Sequence, residues 1–306
     1  MHSSTPPNQG HTPPAVEWPS VILAISIHAG WLASTACANR LAWWLTMPIG
    51  AWLVAWHMSL QHEVIHGHPT RWRRINDLIG SVPFSLWLPF QRYKETHLGH
   101  HRGSHLTDPI DDPESHYVTP AAYSRSGPIG RALMQANNTL LGRVTLGPGL
   151  GILGFLRKEV CLMIGGRTDL CRIWLRHLVA VAAVVAWLSL VCHLSLARYF
   201  ALFVYPGYAL ALVRSFAEHR AADEVEHRTA IVEHAPILGM LFLYNNLHVV
   251  HHLKPGLSWY RIPAFYRQNK AAILRINGGL IYHGYRDVAR RYLFRQHDQL
   301  IHSRLY

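Results

Sequence analysis

Stretches of nearly continuous apolar residues alternate along this chain with long polar segments. Residues 20–38 (SVILAISIHAGWLASTACA) and 41–60 (LAWWLTMPIGAWLVAWHMSL) each approach the roughly 20 residues needed to cross a bilayer, and only Asn39 and Arg40 separate them. That pair predicts a helical hairpin with a tight turn, its second span kinked at Pro48 and Gly50. Residues 173–194 and 199–217 repeat the arrangement around Arg198, and no later run of 18 apolar residues follows Glu218. Between the hairpins, residues 76–90 are apolar but short and broken by Pro83 and Pro89, which predicts a segment lying in the membrane interface. TDPIDDPES (107–115) reads as an acidic, proline-punctuated loop, and residues 129–165 as interfacial helices. The expected organisation is a disordered cytoplasmic N-terminal tail (1–19), a first transmembrane hairpin (20–60), a cytoplasmic or interfacial segment (61–172), a second hairpin (173–217) and a cytoplasmic cap (218–306). The fold class is then an all-α membrane protein, with four transmembrane helices in two hairpins and a cytoplasmic helical cap.

Composition agrees. Half of the 306 residues are apolar and 15% are charged, well below the roughly 25% charge of soluble domains. The net charge of +12 raises the question of nucleic acid, and its distribution answers it. Thirteen Lys and Arg fall in residues 61–172 and twelve in 218–306, against four elsewhere. Positive charge therefore collects on the segments flanking the spans, the positive-inside pattern, and no nucleic-acid partner is expected. Cys37, Cys161, Cys171 and Cys192 show no C-x-x-C spacing, which argues against an iron–sulfur module or a disulfide framework.

The candidate chemistry lies in histidine. His62 and His66 form one cluster, His97, His100 and His101 a second, and His248, His251 and His252 a third, with His219 a lone candidate between them. Within each cluster the spacing is three or four residues, so on a helix the imidazoles share a face and can converge on a metal ion. Taken alone, His62-Glu63-x-x-His66 is also the zinc-protease pattern, with the glutamate as general base. A catalytic zinc takes three protein ligands, which leaves most of these histidines unexplained. A membrane metal store is a non-enzymatic alternative. Glu63, Glu95 and Glu218 adjoin the clusters and are candidates to orient imidazoles through the second ring nitrogen, and Asn245 and Asn246 to hydrogen-bond ligands. His68 and His105 are candidate outer partners. His28, His177 and His193 are expected to be satisfied by a neighbour or by interfacial water, and His227, His234, His283, His297 and His302 to lie at the surface. Arg71, Arg73, Arg74, Arg92, Lys94 and Lys254 could bind a carboxylate or phosphate.

The order H-x-x-x-H, then H-x-x-H-H about thirty residues on, then H-x-x-H-H far downstream resembles the membrane fatty acid desaturase family and its hydroxylase relatives, over about residues 20–265. The resemblance implies a four-span helical fold whose cap holds two non-haem iron ions on His62, His66, His97, His100, His101, His219, His248, His251 and His252. It implies O2 as co-substrate, electrons from an external carrier such as ferredoxin with its reductase, and a fatty acyl substrate presented as free acid, acyl carrier protein, coenzyme A ester or lipid. Desaturation is the expected reaction. Hydroxylation, acetylenation or oxidative decarboxylation to a terminal alkene are the alternatives on the same fold. Ser215 stands where some desaturases carry an asparagine, and Ala217-Glu218-His219 is similar to membrane alkane hydroxylases.

Overall fold

The computed structural model describes residues 14–102 and 105–302. The first hairpin is α1 (Trp18–Cys37) and α2 (Trp43–Ile65). Pro19 lies in the first turn of α1, where its missing N–H costs nothing. The hydroxyls of Thr35, Thr46 and Ser59 each turn back to a carbonyl four residues earlier, which hides a donor from apolar surroundings. α2 runs through Pro48 without a break in the helix. Gly50 serves close packing: a Cβ there would lie 2.6 Å from the Phe203 ring. On the facing helix, a Cβ at Gly207 would lie 2.6 Å from Val54. Small residues at such a crossing let membrane helices approach closely.

α3 (Arg73–Gly80), α4 (Phe90–Arg102), α5 (Pro120–Arg125), α6 (Pro128–Asn137), α7 (Leu140–Thr145) and α8 (Gly147–Ile164) lead to the second hairpin. There α9 (Asp169–Ala186) widens into a π-helical turn at Trp187–Val191. α10 (Leu196–Tyr199), a second π turn at Phe200–Val204 and α11 (Tyr205–Glu218) return the chain. The reversal falls at residues 192–195, ahead of the expected Arg198. Ser195 accepts a hydrogen bond from the Arg198 N–H and so starts the returning helix early. Among the described residues, three segments are long and apolar enough to cross a membrane: Trp18–Cys37, Asp169–Val191 and Leu196–Glu218. Ile22, Ile25, Leu175 and Val179 turn outward from two of them.

The hairpin tips are tied together. Asn39 donates to the carbonyls of Cys192 (3.0 Å) and His193 (2.9 Å), and Arg198 donates to Asn39 Oδ1 (2.9 Å) and the Ala38 carbonyl (3.0 Å). Because the tips meet, the opposite ends of α2 and α11 also meet. Residues 81–89, expected in the interface, instead insert between the hairpins. Phe84 is 1% exposed, stacks on Trp31 at 4.4 Å and approaches His57 at 4.2 Å. Its carbonyl accepts from Tyr199 (2.7 Å), and that of Leu86 meets His177 Nε2 (2.9 Å). The hydrogen bonds waiting on Tyr199 and His177 make this insertion possible for an irregular backbone.

Beyond Glu218 the chain forms α12 (Pro236–Leu241), α13 (His248–Leu253), α14 (Ile262–Ile276), α15 (Tyr285–Tyr292) and a parallel pair of two-residue strands, β1 (Ile231–Val232) and β2 (Ile281–Tyr282), with Ile231 opposite Ile281. Residues 1–13 of the expected tail lie outside the described residues. Residues 14–19, assigned to the same tail, are fastened: Val16 bridges Thr70, and buried Glu17 accepts from Ser258 (2.8 Å) and pairs with His68 (2.9 Å). At the other terminus Val118 N–H donates to the Leu300 carbonyl (2.9 Å), Tyr117 to Asp298 (2.6 Å), and Thr107 meets His302 (3.0 Å). His297 and His302, expected at the surface, are buried in this strap.

Candidate metal centre

The ends of four helices converge at the pole opposite the hairpin tips. α2 carries His62 and ends at His66. α4 carries His97, His100 and His101. α11 stops at His219, and α13 carries His248, His251 and His252. The nine side chains divide into two groups. His62, His66, His97, His101 and His251 form one, and His100, His219, His248 and His252 the other; within each group, one ring nitrogen per residue lies within 4.8 Å of the rest. The division cuts across the sequence clusters. At about 100° per residue, positions i and i+4 stand about 40° apart and i+3 about 60° to the other side. The i, i+4 pair of α4 therefore joins the first group while its i+3 histidine joins the second, and α13 does the reverse.

The contacts inside each group are between ring nitrogens. His66 Nε2 lies 3.0 Å from His97 Nε2, His101 Nε2 lies 3.1 Å from His97 Nε2, and His251 Nε2 lies 2.8 Å from His101 Nε2. In the second group His248 Nε2 is 3.0 Å from His219 Nε2 and 3.1 Å from His252 Nε2. The outer nitrogens decide what these contacts are. His219 Nδ1 meets the Arg228 carbonyl (3.3 Å), which can only accept. His248 Nδ1 faces Asn245 Oδ1 (3.0 Å) and Glu218 Oε1 (3.3 Å). Each ring thus donates outward, and two bare Nε2 lone pairs face each other at 3.0 Å. That arrangement is repulsive unless a cation lies between them. Donors about 2.1 Å from one ion stand about 3.0 Å apart at a right angle and about 3.4 Å at a tetrahedral one, so the spacing fits a shared metal ion.

Burial first, and the neighbouring imidazoles second, push His62, His219, His248, His251 and His252 well below the ordinary histidine range and His101 to about 3. These rings are neutral at physiological pH, the form that binds metal. His100 moves the other way. Burial acts to lower it, but the hydrogen bond to Asp112 (2.8 Å) raises it.

The outer acids are only partly those the sequence singles out. Glu218 reaches His248, whereas Glu63 accepts from the Trp259 N–H (3.2 Å) and Glu95 from Arg92 (2.5 Å). The acids on imidazoles of α4 are Asp112, at His100, and Glu114, at His97 (3.0 Å), both from the acidic loop. Neither stood out in the sequence, although a run of acids beginning seven residues after His101 was the available signal. His68 pairs with Glu17 and exposed His105 stands 3.9 Å from Asp111, so neither joins a group of imidazoles. His28 meets the carbonyl of Ala24, one helical turn away, and His177 that of Leu86, 91 residues away along the chain.

With this geometry in hand, comparison with known protein families finds that the model described as Fatty acid desaturase matches residues 38–284. A search among curated proteins finds no match.

Proposed function

Starting from a chain that belongs to the fatty acid desaturase family, a membrane oxidoreductase of fatty acyl substrates, we propose that it uses O2 and two electrons to introduce a C=C bond into an acyl chain. The observation that carries this reading is the convergence of imidazole nitrogens into two adjacent groups, with the bare nitrogens of His219 and His248 facing each other in the second. Nine nitrogen donors suit two transition-metal ions, and in this reading they hold two irons: His62, His66, His97, His101 and His251 one, His100, His219, His248 and His252 the other. Bound iron supplies the activation of O2 needed to break an unactivated C–H bond.

The chain's own residues prepare for that chemistry. Asp112, Glu114, Glu218, Asn245 and the Arg228 carbonyl hold ring tautomers and orientations. Low imidazole basicity keeps nitrogens free of protons. The part of α2 up to residue 60 is the fourth membrane span, with the histidine pole on the cytoplasmic side, where the Lys and Arg collect. There an external one-electron carrier, a ferredoxin or similar protein, delivers electrons. Two groups with nine donors count against a zinc hydrolase, which needs three ligands and one ion.

The test is the purified chain loaded with ferrous iron and supplied with ferredoxin, its reductase, O2 and an isotopically labelled fatty acid. An unsaturated product formed only with O2, and two irons per chain, are expected. One zinc per chain, or tight metal binding without O2 uptake, overturns the proposal, and an oxygenated product moves the chain to its hydroxylase relatives.

A further inference from the structure

Only four Lys or Arg lie outside the two polar segments, and one of them, Arg214, sits in the last turns of α11, five residues before His219. An ionisable side chain at such a depth costs several kcal/mol on order-of-magnitude scales unless it is used. Its Nε stands 3.0 Å from Glu218 Oε1, the same oxygen that lies 3.3 Å from His248 Nδ1 in the second histidine group. The Tyr93 hydroxyl is within its reach, and the Tyr93 ring lies 5.7 Å from that of His97 in the first group. Arg214 therefore stands beneath both groups.

Its guanidinium is only partly used. Glu218 and the Tyr93 hydroxyl engage it and Glu114 is a further charged neighbour, but among the described residues neither terminal nitrogen donates a hydrogen bond to a carboxylate, which leaves part of the planar fork that grips carboxylates bidentately. The Tyr285 hydroxyl, with Arg214 and Glu218 as its charged neighbours, is buried without a partner. Four of the other cations considered for this task are engaged elsewhere. Arg92 makes two 2.9 Å bonds to Glu159, Lys94 lies 2.6 Å from Asp77, and Arg71 and Lys254 cover the rings of Trp72 and Phe265.

We propose that Arg214 anchors the carboxylate of a free fatty acid, which brings the first carbons of the chain, rather than its middle, to the histidine groups. The inference rests on the oxidative reading above and adds to it a substrate form and a position of attack. Desaturation there consumes one O2, two electrons from the external carrier and two protons. It takes one hydrogen atom from each of two adjacent carbons and leaves a double bond and two waters. Coenzyme A and carrier-protein esters, which lack the carboxylate, lose this anchor.

The test compares binding of dodecanoic acid with binding of its methyl ester to the purified full chain in lipid nanodiscs. The wild type is expected to prefer the acid roughly tenfold or more, the worth of a charge-assisted bond. Arg214→Gln is expected to abolish the preference and Arg214→Lys to keep part of it. Equal binding of acid and ester by the wild type, or an unchanged preference in Arg214→Gln, overturns the proposal. Should Arg214→Gln fail to fold, the wild-type ratio and Arg214→Lys still decide. Product position separates the two levels. Alteration at C2 or C3 is expected, a mid-chain double bond overturns the anchor and leaves the oxidative reading standing, and no O2-dependent product from any acyl substrate overturns the oxidative reading while the binding ratio still reports on Arg214.

Discussion

The two histidine groups draw on the same helices but are braced differently. In the group of four, His100, His219 and His248 each have the second ring nitrogen held by Asp112, the Arg228 carbonyl, or Asn245 and Glu218. In the group of five, among the described residues, an acid holds His97 alone, through Glu114, and His62 Nε2 has a longer contact with Asn245 Nδ2 (3.4 Å). That group is fastened from farther off. Glu17 ties His68, just past His66, to Ser258, just past the helix of His251. One group gains rigidity from hydrogen bonds at each ring, the other from an additional donor and a remote clasp. The lesson is that adjacent metal groups can differ in which neighbours they depend on.

The comparison breaks most visibly at a ligand. His100→Ala, which takes one of four donors, is expected to lower turnover by more than the roughly 10- to 100-fold that an outer partner costs and to remove one metal per chain, while membrane insertion persists. His66→Ala, one of five, is expected to weaken its metal without losing it. Metal per chain by mass spectrometry checks both, and equal losses would erase the distinction. Next in size is Asp112→Asn, expected to weaken one metal by roughly 10- to 100-fold; Glu114→Gln in the larger group should cost less, as competition with a chelator would show.

Glu17→Gln should lower thermal stability by about 1–3 kcal/mol with both metals retained. Burial alone would raise the Glu17 carboxyl, but its bonds to His68, Ser258 and Ser20 leave it below the ordinary 4.5. Its contribution is therefore in place above pH 4.5 and is lost as pH falls through the lowered value. Melting curves of wild type and Glu17→Gln should converge on that acid side. Asn39→Ala, at the hairpin tips, should be smallest, about 1 kcal/mol, with both groups equally unaffected.

Much of this was legible in the sequence. Spacing of three and four residues picked out eight of the histidines, because helical periodicity alone puts each cluster on one face, whereas His219 stood alone and entered only through the family resemblance. How they divide was not legible: it depends on His97 and His100 turning apart by a fraction of a turn and on α13 approaching from the opposite side. The apolar runs located both hairpins, but the place of reversal depended on the Ser195 cap. The insertion of residues 81–89 depended on Tyr199 and His177, partners about 90 to 115 residues away. Arg214 was hidden by its setting, a single charge inside an otherwise apolar run.

The strap of residues 297–302 has a bearing on how the protein can be handled. It lies across the loop whose acids steady His97 and His100, although it contributes no donor to either group. A chain ending at residue 296 would keep all nine clustered histidines and both hairpins, yet deprive the loop of Asp112 and Glu114 of its bonds to Asp298, Leu300 and His302. Such a product would pass for intact by size and membrane extraction and would betray itself only by leaking its metal.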